Sequence, residues 1–234
     1  MAVPDVAVEV AAVVGPAVDD RPRIVDAADH PSRIVAHPWR AGRRPNLCLS
    51  ATPVHYSSLL NYLFYQAGWF ACVLGAAAGW PGLGLLVATT LIVAHLGLAT
   101  DRRCELSRIA LAVGAGIVVE SLHIAAGTYQ FTSGIVVAAL PPPWLLVMWA
   151  QMATTFQFSL RPIMERPWRA AMFGALGGPI AFLAGERLGA VMLHRPLARG
   201  MPLLAITWAI AMTTLAVGEQ VAARRDRGLL PPAR

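Results

Sequence analysis

Six long apolar runs, each cut off by a short polar or Arg-bearing segment, decide what this chain can fold into. They cover residues 59–78, 83–99, 109–126, 143–160, 170–193 and 201–221. A bilayer core takes about 20 helical residues, and the runs are of that order. Inside lipid every backbone N–H and C=O must find its partner within the protein, which a helix does on its own. Composition agrees: 56% of the 234 residues are hydrophobic and 14% are charged, where a soluble domain carries about 25% charged residues. The mean hydropathy is +0.56. The expected fold class is all-α, a polytopic membrane bundle of six transmembrane helices.

Charge placement sets the expected orientation. All 19 basic residues are Arg, and the net charge is +6. In a soluble protein that excess would suggest nucleic acid. Here the arginines flank apolar runs, so topology accounts for them and no nucleic-acid partner is expected. With the N-terminus in the cytoplasm, the inner segments hold Arg40, Arg43 and Arg44, then Arg102, Arg103 and Arg108, then Arg161, Arg166 and Arg169. The inner C-terminal segment adds Arg224, Arg225, Arg227 and Arg234, whereas the outer loops hold only Arg195 and Arg199. The asymmetry fits six spans with both ends inside.

Residues 1–56 differ from the rest. They carry Asp5, Glu9, Asp19, Asp20, Asp26 and Asp29, with prolines at 4, 16, 22, 31, 38, 45 and 53. Proline removes a backbone donor and breaks long elements, so this part reads as a disordered cytoplasmic tail. Residues 57–222 form the membrane domain, and 223–234 a basic cytoplasmic tail.

Ionisable groups at membrane depth are costly, roughly 3 kcal/mol at the bilayer centre, and so they usually face the bundle interior and mark function. "VVESLHIAAGTYQF" at 118–131 places Glu120 and His123 three apart on one face of the third run, with Tyr129 just beyond. Trp149 and Gln151 lie at similar depth in the fourth run, and Glu186 and Arg187 in the fifth. The expected site has Glu120 and His123 as catalytic groups, with Tyr129, Trp149, Gln151, Glu186 and Arg187 as substrate-binding residues. The plainer alternative is structural. Glu120 pairs with Arg187 and locks two helices together, His123 is a satisfied packing residue, and Tyr129 and Trp144 are interface anchors. His95 and Glu219 sit near inner ends and reach water.

In the fifth run, Gly174 and Gly178 are four apart, as are Gly185 and Gly189. Small residues at that spacing admit another helix closely, either within the bundle or from a second copy in a homo-oligomer. The three cysteines, Cys48, Cys72 and Cys104, are scattered without CxxC spacing, so no zinc site is indicated. Neither a metal nor a cofactor is expected. There is no P-loop and no nucleophile elbow.

Three stretches carry a resemblance. They are "LNYLFYQAGWFACVLGAAAGWPGLG" at 60–84, "PPWLLVMWAQMATTFQFSL" at 142–160 and "GALGGPIAFLAGERLGAV" at 174–191. Together they are similar to the bacterial inner-membrane domain-of-unknown-function family 2878, over roughly residues 58–220. Members often have Asp in the third helix where this chain has Glu120. The resemblance implies a small polytopic inner-membrane protein with a link to membrane-lipid modification. A fainter likeness joins Glu120, Gly127, Tyr129, Phe131, Pro142, Trp144 and Trp149 to membrane carotenoid hydratases and lycopene cyclases. It implies an intramembrane acid that protonates a polyene double bond while aromatic faces stabilise the cation. The expected function is thus modification or binding of a membrane lipid or isoprenoid. A lipid or small-solute carrier and a structural accessory subunit are the alternatives.

Overall fold

The computed structural model describes residues 58–226; the expectations for residues 1–56 and for 227–234 lie outside the described residues. The elements are α1 (Ser58–Ala77), α2 (Pro81–Leu98), α3 (Arg102–Ala125), β1 (Tyr129–Phe131), α4 (Pro143–Ala153), α5 (Arg161–Met164), α6 (Pro167–Leu188), β2 (Val191–Leu193) and α7 (Leu197–Asp226). Prolines open α2, α4 and α6 within their first turn, where a missing N–H costs nothing. The Asp101 carboxylate caps α3 by accepting from the backbone N–H of Arg103 and Cys104, so that helix begins well before the apolar run itself. α6 ends at Gly189, whose φ of +92° is the left-handed conformation that glycine adopts freely.

Four helices are long and apolar enough to cross a membrane: α1, α2, α3, and α7 over Leu197–Arg224. The outer surface is apolar, as lipid requires. Leu63, Phe70 and Leu74 of α1 are exposed, as are Ile206 and Ile210 of α7. α6 exposes Met172, Leu176 and Ile180, four residues apart, so it too turns an apolar stripe outward.

Two features correct the expected all-α bundle of six regular spans. First, the fourth apolar run is not one helix. α4 has 11 residues, about 17 Å at the helical rise. The hydroxyls of Thr154 and Thr155 then donate back to the carbonyls of Gln151 and Met152. Residues 154–160 continue in turns whose amides still find carbonyls, Phe156 N–H to Ala153 and Leu160 N–H to Thr155. Second, the chain is not purely helical. β1 and β2 form an antiparallel two-stranded ribbon, with Tyr129 opposite Leu193 and Phe131 opposite Val191. Tyr129, Phe131, Val191 and Leu193 point inward, and Gln130 and Met192 outward.

The helices alternate in direction. The ribbon follows the C-terminal ends of α3 and α6. Ser133 donates to the Ala76 carbonyl at the end of α1, and the Trp144 indole at the start of α4 donates to the Ser133 carbonyl. At the opposite end, His95 of α2, Glu105 and Arg108 of α3, Gln157 after α4 and Glu219 of α7 meet in one network.

Candidate functional site

Glu120 is fully buried in α3 and takes two donors. The Tyr129 hydroxyl donates to Oε2, and the Trp149 indole N–H donates to Oε1 at 3.1 Å. Each depends on a local feature of the chain. Gly127, with φ +63°, turns the chain after α3 so that β1 returns over the helix end with Tyr129 inward. Gly116, one turn before Glu120, leaves room for Trp149: a Cβ there would lie 2.5 Å from the indole Cγ. Burial, with the Glu120 carboxyl adding to it, holds the Tyr129 phenol well above its usual range, so it remains a donor.

His123 is also fully buried. Its Nε2 lies 2.7 Å from the Thr207 hydroxyl and its Nδ1 lies 3.1 Å from the Thr128 hydroxyl. Thr207 donates its own proton to the Leu203 carbonyl at 2.9 Å. That bond leaves the Thr207 oxygen able to accept from Nε2–H, and in that tautomer Nδ1 accepts from Thr128. The ring stacks on Tyr129 with centroids 5.4 Å apart. His123 thus ties α3 to α7 and supports the ring that serves Glu120.

Beside this pair lies an aromatic cavity of about 100 Å³. Tyr65, Trp69 and Val73 of α1 form one wall, and Phe173, Gly177 and Ala181 of α6 the other. Met148, Trp149 and Met152 of α4 form the floor, Phe131 and Val191 of the ribbon close one end, and Phe182 and Trp208 complete it. The rings connect the cavity to the acid. Tyr129 stacks on Phe182 at 4.4 Å, and Trp149 lies against Trp208 at 4.7 Å. Glu120 itself is not among the lining residues; of its two donors Trp149 lines the space, and Tyr129 reaches it only through Phe182.

The other expected site residues are elsewhere. Arg187 is exposed and does not meet Glu120; the expected Glu120–Arg187 pair is replaced by Tyr129 and Trp149. Phe182 and Gly185 are the buried positions on that stretch of α6, so a residue two beyond Gly185 turns away. Glu186 accepts from the Leu193 amide at 3.0 Å and from Arg195 at 3.2 Å, anchoring the ribbon to α6. Gln151 faces α1, donating to the Phe64 carbonyl at 3.0 Å and filling the space over Gly68. Tyr129 and Trp144 are buried rather than interface anchors, at 2% and 3% exposure. Gly174 and Gly178 admit Trp208 of α7, Gly185 lies beneath Val191, and Gly189 caps α6.

Sequence reasoning missed a second cluster and two rings. Glu105 lies 2.6 Å from Arg108 and 3.4 Å from His95, while Arg108 reaches Glu219 at 3.0 Å. His95 and Glu219 therefore belong to a largely buried polar network, with Glu219 also lining an open polar pocket beside Gln157, Arg161 and Arg224. The three-residue spacing of Glu105 and Arg108 on one helix face was its readable signal. Phe182 and Trp208 carried no signal beyond being aromatic. Among the described residues, no group of three or more His, Cys, Asp or Glu is placed to hold a metal.

A helical membrane protein with a buried, doubly hydrogen-bonded acid beside an aromatic cavity is the class these features define. The chain belongs to the family described as "Protein of unknown function (DUF2878)", whose model matches residues 58–214. The match takes in both the acid and the cavity. No curated protein and no solved structure matches the chain.

Proposed function

We propose that this protein binds an apolar membrane lipid or isoprenoid in the cavity between α1 and α6. The observation that carries the reading is the cavity's lining, aromatic and aliphatic on three sides, in a helix bundle with an apolar exterior. An apolar cavity of about 150 Å³ accepts benzene. At about 100 Å³ this one takes a branched end or a short length of chain, with the remainder along the half-buried rim of Tyr65, Trp69, Phe173 and Ala181. Glu120 and His123 act here as positioning residues. They fix Trp149 and Tyr129, and through them the rings that touch the ligand. The closed environment of the carboxyl favours this role over direct proton transfer to a substrate in the cavity.

A test uses Gly177, where an added Cβ meets nothing nearer than 4.0 Å. Gly177→Phe fills the cavity without pressing on a neighbouring backbone. Wild-type protein purified in mild detergent is expected to carry an apolar lipid detectable by mass spectrometry. The variant should lose it to background while unfolding at the same temperature. Equal lipid content in the two proteins would overturn the reading.

The membrane arrangement belongs to the same proposal: six crossings, both ends cytoplasmic, in a bacterial inner membrane. The alternating helix directions support it, with the fourth crossing made by α4, residues 154–160 and α5 together. So does the Arg asymmetry across the two ends. Reporter fusions at residues 79–82 and 135–140 should report the outer side, and fusions at 104 and 165 the inner side. A reversal at any of the four would end the six-span arrangement.

A further inference from the structure

At the end of the bundle opposite the ribbon, the turns after α4 join α5 and α7 around a polar pocket of about 340 Å³. It shares no lining residue with the aromatic cavity. Two carboxylates line it, and both are already paired. Glu219 accepts from the Arg108 guanidinium at 3.0 Å and from the Gln157 amide at 2.5 Å. Glu165 accepts from Arg161 Nε at 3.1 Å. The two lining arginines keep donors to spare. Arg161 uses only Nε, which leaves its terminal N–H groups without a partner among the described residues. Arg224 makes neither an ion pair nor a hydrogen bond among the described residues. The walls that carry them are fixed. The Gln220 amide donates to the Met164 and Glu165 carbonyls at 3.4 and 3.2 Å, which ties α7 to the end of α5. Arg224 stands one turn beyond Gln220 on the same face of α7, so that tie holds the backbones of Arg161 and Arg224 around one space.

Guanidinium groups with unspent donors match the several oxygens of a phosphate, which can accept paired N–H bonds. In a helix bundle with an apolar exterior the helix ends lie near headgroup depth, where basic pockets between helices hold phospholipid headgroups. We infer that this pocket binds the phosphate of a membrane phospholipid, with Arg161 and Arg224 as its donors. Glu219 stays paired to Arg108, so it closes the wall without turning an uncompensated charge on the phosphate. The site is separate from the lipid cavity proposed above and does not depend on it.

The test titrates the full-length protein, in a neutral detergent, with three probes read by calorimetry. They are dioctanoyl phosphatidylglycerol, dioctanoylglycerol, which lacks the phosphate, and inorganic phosphate. Wild type should bind the phospholipid at least about tenfold more tightly than either comparator, roughly the worth of one charge-assisted hydrogen bond. Arg161→Gln and Arg224→Gln should each weaken phospholipid binding by about tenfold. Both side chains are exposed, and an exposed pair such as Arg161–Glu165 adds little stability, so the unfolding temperatures should match wild type. Arg166→Gln removes the same charge from an exposed side chain outside the pocket and should leave binding unchanged. Equal affinities for the phospholipid and dioctanoylglycerol, or an Arg166→Gln loss as large as that of Arg224→Gln, would overturn the inference. Inorganic phosphate binding as tightly as the phospholipid would assign the pocket to a free anion and overturn its lipid source. None of these results bears on the aromatic cavity, which is tested by the lipid retained in Gly177→Phe.

Discussion

Glu120→Leu is expected to lower the unfolding temperature in detergent more than any other single change on α3. The substitution removes the acceptor of two buried donors at once, the Tyr129 hydroxyl and the Trp149 indole. Each donor left unpaired costs about 1–3 kcal/mol, so the loss of both pairings should be roughly 2–6 kcal/mol. Glu120→Gln keeps one acceptor oxygen and presents an N–H₂ to the other donor, so it should fall between wild type and Leu. Tyr129→Phe removes one of the donors rather than stranding it and should cost less than Leu. The double variant Glu120→Leu/Tyr129→Phe should then lose less than the sum of its parts, because one stranded donor is gone. Equal stability of Glu120→Leu and wild type would mean that the acid is not the joint between α3, α4 and the ribbon.

How much of this was legible follows from which forces act locally. Helix positions were readable because length and hydropathy alone decide what can cross lipid. The burial of Glu120 was readable from the cost of exposing an acid to acyl chains. Its partners were not. Tyr129 arrives on a three-residue strand paired with β2, and the two strands lie some 60 residues apart, joined across three register pairs from Tyr129–Leu193 to Phe131–Val191. Nothing in so short a stretch separates a strand from a loop. Arg187 was the obvious partner by depth, but depth does not give direction around a helix, and the buried Phe182 and Gly185 show that the inward face lay elsewhere. The end of α4 was more readable than it was taken to be. Thr154 and Thr155 stand side by side in "MATTF", and adjacent hydroxyls compete for the carbonyls that would continue the helix. The cavity could not be read at all, since its walls come from α1, α4, α6, α7 and the ribbon, which meet only through tertiary packing.

The second large effect is expected at Gly174. Gly174→Ala should destabilise the protein by about 1–3 kcal/mol, the usual cost of overpacking, even though alanine is intrinsically the better helix former by about 1 kcal/mol. A Cβ at Gly174 would stand 2.3 Å from the Trp208 carbonyl oxygen and 2.7 Å from its carbon. These are backbone atoms, so no rotamer change relieves the clash and α6 and α7 must separate. Gly177→Ala, three residues along the same helix, is the control: its Cβ meets nothing nearer than 4.0 Å, so propensity alone should act and stability should hold or rise. Opposite signs for one substitution on one helix would separate close helix approach from glycine's backbone freedom, which both sites share. Gly174→Ala at least as stable as Gly177→Ala would show that the α6–α7 contact is not as tight as drawn. The consequence also reaches the ligand. Trp208 is wedged between the α6 glycines and Trp149, so moving α7 by the width of a methyl group shifts one wall of the cavity relative to its floor. Gly174→Ala should therefore weaken lipid retention without altering any side chain that lines the cavity.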